Sequence, residues 1–205
     1  MEQNVQRSPN IYSVASKVIT RLIVLHGEPE GKATLARLRN SIGKPLSETV
    51  NLWPFMFDQL PEEYLGQGAS PSHEERAILS GLQLYALYQQ GVDKPVLKEN
   101  IASGYQNMGT ALRYLRNDGE TSTDRRFNAL ITSSTYEEFF HHLRQMVSLL
   151  KAKSKGAVQI NFAGLINDLY WFLRGKEENL RLSWSREYYR NPKPEEKEGE
   201  KNDNE

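Results

Sequence analysis

Apolar residues recur every three or four positions along almost the whole chain, which is the spacing of one face of an α-helix. No run shows the alternation of apolar and polar β-branched residues that a half-buried strand would give. The sequence therefore predicts an all-α protein. The predicted helices cover residues 11–26, 33–42, the stretch between the SHEE motif at 72–75 and Gly91, a less regular stretch from Val96 toward Arg116 that breaks near Gly104 or Gly109, and residues 125–132, 135–152, 161–174 and 178–190.

Local signals predict several helix boundaries. Ser72 and Glu75 have the spacing of a capping box. The first helix is predicted to stop at Gly27, with Pro29 just beyond as a terminator. A short amphipathic piece begins near residue 47, and Pro54 is expected to interrupt or kink it.

The chain is also predicted to divide into parts. The segment 117–124, NDGETSTD, lacks any large apolar residue and is predicted to be a linker. It would separate an N-terminal helical bundle, residues 1–118, from a C-terminal helical bundle, residues 119–190. The highly charged stretch 191–205 is predicted to be a disordered acidic tail.

The composition excludes several kinds of site. The 205-residue chain has no cysteine, so a thiol nucleophile, a thiolate zinc site and a disulfide framework are all excluded. Its first ten residues are polar, and no apolar run approaches the ~20 residues that a membrane span needs. We therefore expect an intracellular, cytoplasmic protein without a secretion signal and without a membrane partner.

The positive and negative charges of the chain are equal in number but unevenly distributed. The chain has 26 Lys and Arg against 26 Asp and Glu, and residues 191–205 hold three lysines and six acids. The remaining body, with 23 basic and 20 acidic residues, is less basic than a free nucleic-acid-binding domain usually is. Any site for a polyanion must therefore be local.

The residue pattern contains no convincing catalytic or metal site. Gly27, Gly31 and Lys32 resemble a phosphate-binding loop, but the glycine spacing is one residue short and no strand precedes it. His141 and His142 are adjacent on a predicted helix and point about 100° apart, so they cannot form a one-face zinc pair. The sequence thus predicts no enzyme activity, no metal and no cofactor.

The stretch STDRRFNAL, residues 122–130, is the most unusual local feature. Asp124 is its predicted N-cap, which places Arg125 and Arg126 in a first helical turn where the dipole normally attracts acids. A phosphate bound at this helix start would make both cations favourable, because arginine's planar fork suits phosphate. The pattern therefore indicates a possible nucleic-acid-backbone site.

Two further pairs of cations extend this possible site. Arg113 and Arg116 are three residues apart and share a helix face, and Arg144 and Lys151, seven apart, share a side of the next long helix. Each cation also has a plain structural interpretation. Arg113 and Arg116 can be solvated surface residues, and Lys151 an ordinary cation near a helix C-terminus. An ion pair with an acid at 118, 120 or 124 is the alternative for one of the two arginines in STDRRFNAL.

Five motifs in a fixed order connect these features to a known family. They are LARLRNSIGKPLSETVNLWPFMF, NMGTALRYLRND, DRRFNALI, HHLRQMVSLLK, and INFAGLINDLYWF followed by LSWSREYY. Together they resemble the CasB family, the small α-helical subunit of the type I-E CRISPR surveillance complex called Cascade. The resemblance spans roughly residues 11–190.

The resemblance implies a fold and a set of partners. It implies an elongated protein of two packed helical bundles, without catalytic activity, present as two copies in a complex with crRNA and with the large and backbone Cascade subunits. It also implies sequence-independent phosphate contacts to the target DNA and its displaced single strand.

The resemblance also implies which cations make those contacts. The basic positions that match the family pattern are Arg37, Arg39, Arg125, Arg126 and Arg144. Arg113, Arg116 and Lys151 extend the predicted site in this chain. Arg37 and Arg39 are two apart and point to nearly opposite faces, so at most one of them joins a common surface. The competing hypothesis is a purely structural adaptor whose arginines pair with acidic protein surfaces.

Overall fold

The computed structural model describes residues 10–96, 106–116 and 121–190. Within these ranges the fold is all-α, as predicted, and no strand occurs there. Short 3-10 turns cover Leu46–Glu48, Val50–Leu52 and Glu62–Tyr64. The α-helices of the described ranges are α1 (Ile11–Val24), α2 (Pro29–Asn40), α3 (Trp53–Phe57), α4 (His73–Gln89), α5 (Met108–Arg113), α6 (Thr121–Ile131), α7 (Tyr136–Ser154), α8 (Phe162–Leu173) and α9 (Glu177–Tyr188).

The capping box before α4 is confirmed. The Ser72 hydroxyl accepts a hydrogen bond from the Glu75 backbone N–H at 2.9 Å, and the Glu75 carboxylate accepts one from the Ser72 backbone N–H at 2.7 Å. Two donors that the helix start would leave unsatisfied are thus paired reciprocally. Gly91, at φ 76°, follows the end of α4, where an αL residue is favoured after a helix.

The two prolines lie at helix starts. α1 ends at Val24, so Pro29 does lie beyond its end as predicted, but Pro29 is also the first residue of α2, which begins four residues earlier than predicted. Proline suits this place because its missing N–H is unpaired there in any case, and its φ is already helical. Pro54 likewise lies in the first turn of α3 and does not interrupt it.

The stretch from Val96 to Arg116 is only partly helical. Val96 and residues 106–107 are not helical, and α5 begins at Met108 after an Asn107 cap, so a break does lie near Gly109, as predicted, although Gly109 itself is the second residue of α5. The alternative break at Gly104 lies outside the described residues. Gly109 is needed for packing, because a Cβ on it would collide with the Trp184 carbonyl oxygen of α9. The glycine therefore allows α5 and α9 to approach closely.

The core is organised around α8. This helix packs against α1, α4 and α9, while α4 also packs against α2 and α7, and α6 packs against α7. The nearly all-round apolar character of α8 fits this central place, although Trp171 keeps 44% of its surface exposed. The predicted boundary at 118/119 and the tail 191–205 lie outside the described residues, so the division into two bundles stays a prediction.

Tyr85 on α4 is a buried phenol with an unusual environment. It is fully buried and meets the Phe162 ring edge-to-face at 5.3 Å between ring centroids. Its hydroxyl has no hydrogen-bond partner among the described residues. Burial raises the pKa of Tyr85 from 10.0 to about 12. The phenol therefore stays neutral in the folded state, and its unpaired hydroxyl lowers the free energy of unfolding because the hydrogen bonds it makes to water in the unfolded chain are lost.

We expect Tyr85→Phe to raise the free energy of unfolding at pH 7 by about 1 kcal/mol, because it removes an unpaired buried hydroxyl. Because the pKa of Tyr85 is higher in the folded state, its titration contributes stability that is fully present below pH 10 and is lost as the pH rises toward 12. The free energy of unfolding of the variant should therefore fall less at alkaline pH. Urea unfolding at pH 7 and at pH 11 measures both effects.

The matched control is Tyr88→Phe on the same helix. The Tyr88 hydroxyl is also buried but donates to the Val158 carbonyl at 2.7 Å and lies 3.0 Å from the Ser154 hydroxyl. Its removal should therefore destabilise the protein by about 1 kcal/mol. Equal losses in the two variants would contradict the assignment of an unpaired hydroxyl to Tyr85.

Candidate nucleic-acid interface

The structure distributes the predicted cations over four regions. Arg37 and Arg39 lie on α2, Arg113 ends α5 and Arg116 follows it, Arg125 and Arg126 lie on α6, and Arg144 and Lys151 lie on α7. The regions differ in whether the charged group is already bound by the protein. That difference decides which of these residues are available to a ligand.

The helix that carries Arg125 and Arg126 starts earlier than predicted. Thr121 is already helical, so the two arginines lie in the second turn of α6, and the free N–H groups of a first turn are not beside them. The reason is Thr123, which is only 2% exposed and continues the buried stripe of Phe127 and Leu130 at spacings of four and three. The predicted linker 117–124 is therefore wrong over 121–124, and residues 117–120 lie outside the described ranges.

Asp124 is the centre of a polar cluster, not a helix cap. Its Oδ1 accepts a hydrogen bond from Arg116 Nε at 3.1 Å and another from the Tyr188 hydroxyl at 2.8 Å. The Arg116 guanidinium also lies over the Tyr189 ring, 5.0 Å from its centroid, where a cation–π attraction operates. Tyr188 in turn stacks on Phe127 at 3.7 Å between ring centroids. The cluster joins α5, α6 and α9.

Burial and the neighbouring carboxylate keep Tyr188 protonated. Burial is the largest cause that raises the pKa of Tyr188, and the hydrogen bond and charge of Asp124 raise it further. The neutral phenol therefore remains a donor to Asp124. Arg116 is consequently held by the protein itself within this cluster. The alternative of an ion pair with Asp124 is therefore realised, but by Arg116 and not by Arg125 or Arg126.

Lys151 is also engaged by the protein. Its ammonium donates to the Leu87 carbonyl at 2.9 Å and to the Gln90 side-chain oxygen at 3.3 Å, at the C-terminal end of α4. Desolvation, and next the charge of Arg39, lower the pKa of Lys151. The fold thus brings Arg39 and Lys151 near each other at a helix C-terminus, where positive charge is favourable.

Arg37 and Arg39 have different neighbours. Arg37 lines a groove together with Lys44 and Thr49, whereas Arg39 is close enough to Lys151 for its charge to lower the pKa of that lysine. That at most one of the two arginines joins a common surface stays a prediction.

Three of the predicted cations that are open to a ligand lie on the α6–α7 pair. Arg125, Arg126 and Arg144 are exposed, and none of their guanidinium groups makes a hydrogen bond or ion pair with another described residue. A turn of four residues, 132–135, joins the two packed helices, so they run antiparallel. A rise of 1.5 Å per residue puts Arg126 about 8 Å and Arg144 about 12 Å from that turn, at similar heights on the pair. Arg113, at the end of α5, is half-buried and likewise without such a partner in the described ranges.

Open cations that sequence reasoning did not select include a pair on α1. Lys17 and Arg21 are exposed on α1, four residues apart, and make no ion pair with a described residue. The same spacing rule that selected Arg113 and Arg116 would have found them. Spacing alone cannot distinguish such open cations from Arg76, whose guanidinium donates to the Glu137 carboxylate at 2.8 Å. That contact joins residues 61 positions apart, so no local pattern reveals it.

The described residues offer no metal site. No group of three or more His, Asp or Glu side chains in those ranges could hold a metal ion. The His141 and His142 rings lie 5.5 Å apart in an edge-to-face arrangement, and His141 Nε2 contacts the Gln145 amide at 2.8 Å. None of the helices in the described parts of the chain is long and apolar enough to cross a membrane.

Comparisons with known proteins identify the relatives of this fold. Residues 34–189 match the family described as CRISPR-associated protein Cse2. No curated protein matches the sequence. The crystal structure of CasB from Thermobifida fusca has 22% identity and a TM-score of 0.67, with 88% of this chain and 98% of that chain covered.

Two other solved structures give a similar result. A Cse2-family CRISPR-associated protein from Thermus thermophilus has 24% identity and a TM-score of 0.62, with 85% of this chain and 97% of that chain covered. A chain of a CRISPR RNA-guided surveillance complex has 19% identity and a TM-score of 0.63, with coverages of 87% and 93%. At these identities the structural similarity shows a shared fold.

Proposed function

The chain belongs to the CRISPR-associated Cse2 family, whose match covers residues 34–189, and on this premise we propose that it is a non-catalytic small subunit of a type I-E CRISPR surveillance (Cascade) complex. Its partners are the crRNA, the large and backbone subunits, a second copy of itself, and the target DNA with its displaced strand. The complex acts in the cytoplasm, where guide and invading DNA meet.

Within this complex the chain binds nucleic-acid backbone without reading sequence. The observation that carries this proposal is the exposed, ligand-accessible set of Arg125, Arg126 and Arg144 on the α6–α7 pair. Guanidinium groups suit phosphates, and phosphate contacts position a strand without any base code. The mild charge of the chain body fits a subunit that shares nucleic-acid affinity with its partners.

Holding the displaced strand stabilises the open loop. Exchange of a DNA duplex for an RNA–DNA hybrid is nearly balanced in a single-protein CRISPR effector, and the same balance applies to hybrid formation here. Phosphate contacts that keep the displaced strand from re-annealing need to supply only a few kcal/mol. The arginines of α6 and α7 supply part of this energy.

The test is binding of labelled single-stranded DNA of unrelated sequences across a salt series, for wild type and Arg125→Ala/Arg126→Ala. We expect weak, sequence-independent binding, and a salt slope that is smaller by about 1.4 in the double variant, because each lost contact to a single strand removes about 0.7. Affinity at low salt should fall about tenfold.

The control removes the same charge elsewhere. Lys176→Ala/Arg186→Ala takes two exposed cations from the region of α9 and should leave the salt slope nearly unchanged. In the reconstituted complex, the Arg125→Ala/Arg126→Ala chain should still assemble while target capture weakens. Normal target affinity in that variant would overturn the strand-holding role.

The adaptor hypothesis remains the second candidate, because Arg116 and Lys151 bind groups of the protein itself. It predicts that the isolated chain does not bind single-stranded DNA even at low salt. It also predicts that Arg125→Ala/Arg126→Ala impairs assembly of the complex, not capture of DNA. The two measurements therefore separate the two functions.

A further inference from the structure

One continuous segment of this protein carries acids without any lysine or arginine. Residues 45–75 contain six acids and no lysine or arginine. Apart from this segment and residues 191–205, the chain has 23 basic and 14 acidic residues. The balanced total therefore conceals an excess of cations outside two acidic segments, residues 45–75 and 191–205. The acids of the segment are Glu48, Asp58, Glu62, Glu63, Glu74 and Glu75.

The same segment forms an apolar groove of about 470 Å³. Phe57 and Leu65 line it and remain 37% and 39% exposed, which is high for side chains of this size. Trp53 forms another wall, with its ring centroid 6.1 Å from that of Phe57. Contiguous exposed apolar surface with a polar rim is typical of a protein interaction site.

The groove is built before any partner arrives. The Trp53 indole N–H donates to the Leu46 carbonyl at 3.0 Å, which fixes the ring and leaves only its apolar surface to the groove. Leu52, Met56 and Tyr64 are buried and anchor the segment to the core. The exposed Phe57 and Leu65 are thus not needed for that anchoring.

Three exposed acids lie close in sequence to the groove-lining residues, and we call them its acidic rim. Glu62 and Glu63 precede Leu65, and Asp58 follows Phe57. Glu75, in the groove lining itself, is different, because it is 4% exposed and its carboxylate is used in the α4 capping box. The groove therefore presents apolar side chains on a segment that also carries exposed carboxylates.

Charge decides which occupant fits. A nucleic acid or an anionic membrane would be repelled by this surface, and residues 191–205 of the chain are themselves acidic. We propose that the groove docks a basic amphipathic segment of another protein subunit, with large apolar side chains in the groove and lysines or arginines against its acidic rim. This inference rests on the proposed membership of a surveillance complex, which supplies the partner.

The first test measures retention of the chain in a complex reconstituted from crRNA and the remaining protein subunits. Phe57→Ser/Leu65→Ser removes the apolar anchors, and Glu62→Lys/Glu63→Lys reverses the rim charge. Each should weaken retention at least about tenfold, as loss of a central anchor or of complementary charge does. The single-stranded DNA affinity of the isolated Phe57→Ser/Leu65→Ser chain should stay unchanged.

Two matched controls test specificity. Val24→Ser/Leu182→Ser removes exposed apolar residues elsewhere, and Glu28→Lys/Glu30→Lys reverses two exposed charges at the start of α2. Neither should change retention. If the groove variants are retained like wild type, the docking proposal is overturned while the subunit role stands. If wild type itself is not retained, the subunit role fails first, and the docking proposal with it.

A photocrosslink identifies the occupant directly. With p-benzoylphenylalanine at position 57, irradiation of the assembled complex should join the chain to a peptide of another subunit that has net positive charge and a large apolar residue. A crosslink to crRNA, to DNA or to a second copy of this chain would overturn the proposal. So would the absence of any crosslink in a complex that has assembled.

Discussion

Trp184→Ala is expected to lower the free energy of unfolding by about 3–5 kcal/mol, the largest loss from any single truncation considered for this protein. Trp184 on α9 is fully buried, and its ring lies 5.6 Å from the Phe139 ring of α7. Its indole N–H donates to the Asp168 carboxylate of α8 at 2.8 Å. Truncation would therefore leave a large cavity and remove a donor from a charged acceptor.

The backbone around Trp184 explains why the cavity would not collapse. Gly109 of α5 lies against the Trp184 carbonyl. The Asn107 side chain donates to the Ser183 carbonyl at 3.1 Å and to its hydroxyl at 2.8 Å. These contacts fix the α9 backbone against α5, while Phe139 of α7 and Asp168 of α8 hold the Trp184 side chain. A rigid surround makes the cost of a cavity greater, because relaxation cannot fill it.

Urea unfolding followed by circular dichroism measures the loss. The matched control is Trp171→Ala on α8, since Trp171 is 44% exposed and its truncation should cost about 1 kcal/mol or less. Trp184→Phe should give an intermediate loss, because it keeps one aromatic ring but loses the hydrogen bond to Asp168 and part of the buried volume. Similar losses for the two alanine variants would contradict the central role of Trp184.

Helix positions were predictable where the signal is local. The apolar spacing predicted α1, α4, α7, α8 and α9 closely, and the Ser72 and Glu75 pair predicted the start of α4. The start of α2 was missed because Pro29 has two plausible roles in the sequence. A proline just after a helix stops it, and a proline in a first turn starts the next one. The start of α6 was missed because Thr123, a small polar residue, is buried like an apolar one.

The candidate site was predictable only in part, because its electrostatics depend on distant contacts. Tyr188 and Asp124 are 64 residues apart, as are Lys151 and Leu87, and no local pattern announces either hydrogen bond. The contact with Leu87 engages Lys151, whereas Arg116 is engaged by Asp124, only eight residues along the chain, in the polar cluster that Tyr188 completes. The exposed Arg125, Arg126 and Arg144 keep the predicted role open for experiment.

Asp124→Ala is expected to have two opposite effects, since Asp124 connects the fold to the proposed interface. It should lower the free energy of unfolding by about 1–3 kcal/mol, because the buried Tyr188 hydroxyl and Arg116 Nε both lose their acceptor. It should also strengthen single-stranded DNA binding by about two- to fivefold at low salt. The reason is that a negative charge next to Arg125 disappears and the Arg116 guanidinium is released.

Urea unfolding and DNA titration at a temperature where both proteins are folded measure the two effects. Asp58→Ala, an exposed aspartate on another surface, should change neither stability nor binding appreciably. Tyr188→Phe removes only the phenolic donor, and its combination with Asp124→Ala should show a coupling of about 1 kcal/mol. A parallel loss of stability and DNA affinity in Asp124→Ala would mean that the α6 arginines bind strands only through the geometry that Asp124 maintains. An increase in affinity would show that Asp124 limits the charge that α6 presents to a strand, so the same carboxylate that fixes α9 also weakens the intrinsic affinity of the subunit.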